Sequence, residues 1–205
     1  MYIPKTNAWE DINEILAFLD RFSFGMIISR HDNRLTATHI PMIHNNQAEN
    51  LVVQGHLALA NTQWKDWDGQ EVLLIFTEPH AYISPKNYEK MESVPTWNYM
   101  AVHLYGQVEI LRDPQDIDEL MKRTMLTYEK SYYEQWLSLS ADFKARMLKG
   151  IVPFQIKITD VQAKAKLSQN KKTEEIAAIT KSLKNSTYPG ESLLAAYMEN
   201  MPSKL

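Results

Sequence analysis

The sequence predicts a mainly β, α+β protein: a β-barrel with peripheral helices. Three observations lead there. Short apolar runs, several alternating with period two, recur between residues 25 and 111 and are separated by polar or proline-containing turns. Helical spacing of apolar residues is confined to the start, an insert at about 113–150 and the C-terminal part at about 173–201. Strict βαβ alternation, the mark of a doubly wound sheet, does not occur.

Asn7 with Glu10 makes a capping-box-like start, and Trp9, Ile12, Ile15, Leu16, Leu19 and Phe22 then predict a helix over 8–22. Gly25–Ser29 reads as a strand turned back by Arg30–Arg34 into a hairpin, with Leu35–Ile43 returning across Pro41. His44–Asn50 reads as a polar turn and Leu51–His56 as the next strand. Thr62–Trp67 reads as a short helix or irregular crossover ending at Asp68-Gly69. Glu71–Phe76 is a nearly continuous apolar run, expected to be a strand buried on both faces. Pro79 and Pro85 bracket a short strand, Ala81–Ser84, and a polar loop leads to the long strand Trp97–Leu111. Asp113-Pro114 is a helix start, with Asp at the cap and Pro at the first position. Tyr132, Tyr133 and Trp136 fall in a less regular linker, and a second helix runs from about Ser140 to Gly150. Val152–Thr159 alternates as a half-buried strand that Ala163–Leu167 extends. Thr173 caps a helix, and a last short one follows Pro189-Gly190.

The chain of 205 residues, 44% hydrophobic, can fill one core without disulfide or metal staples, and we read it as a single domain. A net charge of −3 gives no general drive toward nucleic acid or anionic membrane. With no cysteine, thiol catalysis, thiolate metal sites and disulfides are excluded, which fits a reducing cytoplasm. No signal core or membrane-length apolar run occurs, so a soluble, cytoplasmic protein is expected. Glycine is scarce, at 6 residues, and neither a dinucleotide turn nor a P-loop is present. The histidines show no metal-ligand spacing, no serine-nucleophile elbow occurs, and no paired carboxylates suit hydrolysis. No metal site is expected.

The residues that stand out are aromatic, amide and hydroxyl side chains at strand ends. In the strand from Asn98, Tyr99, Ala101, His103 and Tyr105 share one face, while Met100, Val102, Leu104 and Val108 form a core face. The first face could lie against a flat ligand with a polar edge or against a second subunit; a half-buried strand whose rings reach solvent is the plainer alternative. Thr36, Thr38 and His39 precede Pro41. His56, Asn61, Gln63 and Trp64 follow the next strand, and Lys166–Lys171 offers two cations with amides and a hydroxyl. Such groups suit a heteroaromatic phosphate, whose anion needs cations or N–H and O–H donors. Each cluster alone also reads as solvated strand, turn or basic loop.

The segments Ala37–Pro41, Gly55–Asn61 with Trp64, Pro79–Pro85, Val94–Tyr99, Val102-His103 with Gly106, and Lys166–Asn170 resemble, in the same order, the PaiB-type FMN-binding negative transcriptional regulators. The resemblance spans nearly the whole chain. It implies a split β-barrel of the FMN-binding type, related to pyridoxamine phosphate oxidases and flavin reductases, acting as a flavin-dependent sensor or regulator. It further implies a homodimer with FMN at the interface. Thr36, Thr38 and His39, with the loop carrying His56, Asn61, Gln63 and Trp64, would contact FMN from one subunit. His80, Tyr82, Trp97, Asn98, Tyr99, Lys166, Ser168, Gln169 and Asn170 would complete the pocket, some of them from the partner. Asn87 before Tyr88 and the Lys171-Lys172 continuation depart from the pattern. An FMN-dependent oxidoreductase and a haem-binding split barrel are the alternatives. DNA is a possible partner, but no helix-turn-helix with a basic recognition helix is evident and the charge does not support it.

Overall fold

In the computed structural model, residues 1–47, 50–67 and 69–200 are described. The tip of the turn expected after His44, the Asp68 half of Asp68-Gly69, and residue 201 lie outside them. The strands are β1 (Phe24–His31), β2 (Arg34–Pro41), β3 (Ile43–Gln47), β4 (Asn50–Ala58), β5 (Glu71–Ile83), β6 (Thr96–Ile110) and β7 (Ile151–Lys166). They form a seven-stranded sheet in the order β2-β1-β5-β6-β7-β4-β3. The helices are α1 (Ile12–Arg21), α2 (Pro114–Tyr128), α3 (Lys130–Ser138), α4 (Ala141–Lys149), α5 (Thr173–Lys184) and α6 (Pro189–Asn200). The expected mainly β architecture with peripheral helices is the one observed.

Several elements differ from expectation for identifiable reasons. α1 begins later, because Asp11 caps it by accepting from the amides of Asn13 (2.9 Å) and Glu14 (3.2 Å). Trp9 instead packs inward, its indole N–H donating to Glu14 Oε2 at 2.7 Å. The stretch from His44 is a strand and not a turn: His44 pairs with Val53 and Asn45 with Val52. As the sheet's edge, it tolerates the polar side chains that made it look like a loop. α3 takes the place of the expected linker; none of its residues is fully buried, so its apolar stripe is weak.

β5 runs unbroken through Pro79 where two strands were expected, and its first half is buried on one face only. Val72, Leu74 and Phe76 are inward, then Pro79, Ala81 and Ile83, with Thr77 and Glu78 both exposed between them. The inward parity thus changes from even to odd, as at a bulge, and this irregularity accommodates the proline. Other boundaries were legible. Asp32 and Asn33 adopt φ of 47° and 60° in the two-residue turn between β1 and β2, a conformation Asn and Asp tolerate. Asp113 Oδ1 caps α2 by accepting from the Gln115 amide at 2.8 Å, with Pro114 in the first turn. At α5 the expected cap is displaced by one residue: Lys172, not Thr173, is the cap, and Thr173 lies in the first turn.

The chain clusters into two compact units. The first comprises Met1–Ile15, Thr77–His103 and Gln162–Leu205; the second comprises Leu16–Phe76 and Leu104–Val161. The buried interior of the second contains Ile27, Leu57, Leu74 and Ile156, with Trp67 edge-on to Phe154 at 5.0 Å. Leu120 of α2 packs with Ile43 and Leu111. In the first unit, Ile83, Met100, Ala165, Ile179, Leu183 and Leu194 are buried.

Candidate functional site

The predicted site residues fall into two groups, one in each unit. In the second unit, β2 presents Thr36 and Thr38 on its inward-leaning side, since side chains two apart share a face. His39 is on the other side, stacked with Phe24 at 6.4 Å. Asn61 Nδ2 donates to Thr38 Oγ1 at 2.9 Å, and the Thr38 hydroxyl donates to Gln63 Oε1 at 2.6 Å. Asn61 Oδ1 caps the short 3-10 turn Thr62–Asp66 by accepting from the Gln63 amide at 3.0 Å. Gln63, 1% exposed, aims its amide nitrogen at the Ile27 carbonyl (3.3 Å), the Ser29 hydroxyl (2.9 Å) and the Thr36 carbonyl (3.1 Å). One carboxamide thereby fastens the 3-10 turn to both strands of the hairpin. Trp64 donates from its indole to the Leu59 carbonyl at 3.3 Å.

Ser29 and Trp67 belong to the same network, though no motif or spacing singles them out. Ser29 Oγ also accepts from the Trp67 indole at 3.0 Å, closing the network. His31 Nδ1 lies 2.6 Å from Asp66 Oδ2 and Nε2 lies 2.9 Å from Thr62 Oγ1, tying the hairpin end to the same turn. That hydrogen bond from His31 is the main reason the Asp66 carboxyl is held below its usual range.

His56 lies on β4 opposite Pro153. Burial pushes its imidazole below the ordinary histidine range, so near neutral pH it is a neutral donor–acceptor and not a phosphate-binding cation. Because the folded pKa is below the unfolded one, the unfolded chain takes up this proton first. The stability that follows is present above about pH 6.5 and is lost as pH falls through the folded value. Melting temperatures of wild type and His56→Gln, followed from pH 7.5 downward, should converge on acidification, because the variant lacks this component. A constant gap would show that His56 does not couple to the fold in this way.

In the first unit, β5 and β6 carry three rings outward. Trp97 is 53% and Tyr82 48% exposed, and the Trp97 ring centre is 5.9 Å from Tyr82 and 6.1 Å from His80. Tyr99 follows Trp97 on the same side of β6. Asn98 points the opposite way and is buried, as is Ser168. Asn98 Nδ2 donates to Ser168 Oγ at 2.9 Å and lies 3.6 Å from Met198 Sδ. Gln169 folds onto its own turn: its Oε1 accepts from the Leu167 amide at 2.8 Å and its Nε2 donates to the Ala165 carbonyl at 2.5 Å. Lys166 Nζ donates to Thr96 Oγ1, and Asn170 is exposed. Burial pushes the Lys166 ammonium below its ordinary range. Burial first, and the N-terminal charge second, does the same to the His103 imidazole.

This set can offer flat ring faces, amide and hydroxyl hydrogen bonds, neutral imidazoles and lysine ammonium groups, the functions that a planar nucleotide cofactor engages. Its architecture is that of the split-barrel flavoprotein class. Solved structures of the same fold include the flavocytochrome Anf3 from Azotobacter vinelandii, with a TM-score of 0.63 at 15% identity, covering 80% of this chain and 72% of that one. An FAD and heme binding protein from Mycobacterium smegmatis gives a TM-score of 0.59 at 14% identity, covering 84% of this chain and 80% of that one. Residues 1–160 match the family described as "Putative FMN-binding domain". A relative, "Protease synthase and sporulation protein PAI 2" of Bacillus subtilis (strain 168), is 37% identical over 212 residues, covering 100% of this chain and 99% of its own.

The chain belongs to this FMN-binding family, the PaiB-type family that its motifs resemble, and FMN is the cofactor that membership assigns. The family match stops short of Lys166–Asn170. Among the described residues, no helix is long and apolar enough to cross a membrane.

Proposed function

We propose that the protein is a cytoplasmic, homodimeric, flavin-dependent regulator of a single domain, with FMN held where two subunits meet. The observation that carries this reading is the outward cluster of Trp97, Tyr82 and His80 on adjacent strands. Contiguous exposed rings on a sheet face suit a ligand or a second chain better than water. In this reading Trp97, Tyr82, His80 and Tyr99 pack against the flat ring system. Lys166, Gln169 and Asn170 lie at its rim, with Asn98 and Ser168 bracing the strand from behind. Thr36, Thr38, His39, His56, Asn61 and Trp64 of the other subunit complete the enclosure, with the buried Gln63 bracing Thr38 and Asn61. FMN, when bound, supplies a two-electron redox centre, and the chain's own part is to orient it and limit its contact with water.

Regulation through a further protein or small molecule fits the charge better than direct DNA contact does. Of the C-terminal lysines that could form a basic patch, Lys172 is paired with Glu89 at 2.6 Å and Lys184 with Glu199 at 2.5 Å. Lys171 stacks 3.7 Å from the Tyr88 ring centre. The net charge of −3 adds no long-range attraction to a polyanion.

The test is an absorption spectrum of the purified protein, with mass spectrometry of the ligand released on denaturation and light scattering for the subunit count. A dimer carrying FMN, or taking it up stoichiometrically when it is added, is expected. A monomer, or a protein that stays colourless in excess FMN, would sink the proposal.

A further inference from the structure

Lys164 and Lys166 sit two apart on β7 and therefore share one face of the sheet. Lys164 is only 7% exposed. Its ammonium donates to the Tyr2 carbonyl at 3.3 Å and lies 5.0 Å from the Tyr99 ring centre and 5.8 Å from that of Tyr2. Lys166 is half-buried and bonds to the Thr96 hydroxyl. Among the described residues, neither lysine has a carboxylate within ion-pair distance.

Among the described residues four lysines pair with carboxylates: Lys122 with Glu119 at 3.3 Å, Lys157 with Glu109 at 3.4 Å, Lys172 with Glu89 at 2.6 Å and Lys184 with Glu199 at 2.5 Å. Those pairs are at the surface, where a countercharge matters least. Lys164 and Lys166 are sheltered from water, where an unpaired charge is most costly, and are not among those four. A carbonyl and two ring faces offset part of the cost for Lys164. They do nothing for the mutual repulsion of two ammonium groups on one face.

We propose that Lys164 and Lys166, with the Thr96 hydroxyl beside them, form a binding subsite for the phosphate group of a small-molecule ligand. Two ammonium groups and a hydroxyl supply the charge and donors that a phosphate monoester dianion requires. The Tyr99 ring marks an aromatic margin on which the rest of such a ligand can rest. The phosphate has two sources, the FMN of the preceding reading or a separate phosphorylated effector; only the first rests on that reading. Lys164 is the residue this assignment adds.

Full-length wild type, Lys164→Met, Lys166→Met and, as a charge control on the exposed face of α5, Lys181→Met are titrated with FMN and with riboflavin, which lacks the phosphate. Their melting is also followed in inorganic phosphate against chloride at equal ionic strength. If the subsite holds the phosphate of FMN, each site variant loses about tenfold or more of its FMN affinity while its riboflavin affinity and Lys181→Met stay unchanged. If it holds a separate ligand, FMN affinity persists and the rise in melting temperature given by inorganic phosphate disappears. Loss of that rise in variants of a wild type that binds no flavin would leave this proposal standing and overturn the flavin reading alone.

Lys164→Met should also melt higher than wild type in phosphate-free buffer, since it removes a sheltered unpaired charge; a lower melting point would make Lys164 a structural strut and overturn its assignment. Should that variant fail to fold, the more exposed Lys166→Met carries the same comparison. An unchanged FMN-to-riboflavin ratio together with an unchanged phosphate response overturns the proposal.

Discussion

Gly106→Ala is expected to cost about 3 kcal/mol or more of folding stability, a large share of the roughly 5–15 kcal/mol that holds a domain together. A Cβ built on Gly106 would lie 2.4 Å from the Lys157 carbonyl oxygen, 2.8 Å from Ile156 Cγ2 and 3.0 Å from the Lys157 carbonyl carbon. Two of these atoms are backbone of β7, which cannot rotate aside as a side chain can. Relief requires β6 and β7 to separate, with loss of ladder hydrogen bonds. Gly190→Ala is the control, because nothing lies within 4 Å of its added methyl. Denaturant midpoints measure both, and coincident midpoints for wild type and Gly106→Ala would refute the claim.

The second large effect is expected at Gln63. Gln63→Ala removes a donor from the Ile27 and Thr36 carbonyls and the acceptor of the Thr38 hydroxyl proton, which keeps only its bond from Asn61, and leaves Ser29 Oγ with only the Trp67 indole. Buried polar groups that lose a hydrogen-bond partner cost about 1–3 kcal/mol each, so a loss of about 3 kcal/mol is expected even after partial relaxation. Gln63→Glu is the sharper test. It keeps the shape but turns the donor end into an oxygen facing the Ile27 and Thr36 carbonyls. It should be at least as damaging as the alanine and should recover in part on acidification, when the carboxyl can donate a proton. Under the proposed function both variants also weaken FMN uptake, because Asn61 and Thr38 lose their brace. A Gln63→Glu protein as stable as wild type at pH 7 would show that this network does not hold the hairpin.

Much of the fold was legible because local chemistry and tertiary structure agree. Asp113-Pro114 starts α2, Asp32-Asn33 turns the β1–β2 hairpin, and the alternation in β6 puts Met100, Val102 and Leu104 inside. Reading failed where the environment overrode the pattern. β3 hides its identity in polar edge residues, α3 lacks a buried stripe, and the parity change in β5 disguises one strand as two. For the site, the residue types were informative and their orientation less so. Trp97 and Tyr99 share a face that Asn98, between them, cannot share. Gln63 reads from the sequence as a cofactor contact, and only the folded turn reveals how many strand groups it satisfies. Lys164 could not be told from a solvated lysine, since alternation with Ala163 and Ala165 says which side it takes but not what covers that side.

The change of parity in β5 has a genetic corollary. Beyond it, His80 and Tyr82 look outward and Ala81 and Ile83 inward, an arrangement set by the chain length between Phe76 and Pro79 and not by the identity of any residue there. Point substitutions at Thr77 or Glu78 leave that count intact. Losing one codon would exchange the two sets, sending an imidazole and a phenol into the interior and an isoleucine out to the surface, so over this short stretch drift in spelling is tolerable while drift in length is not.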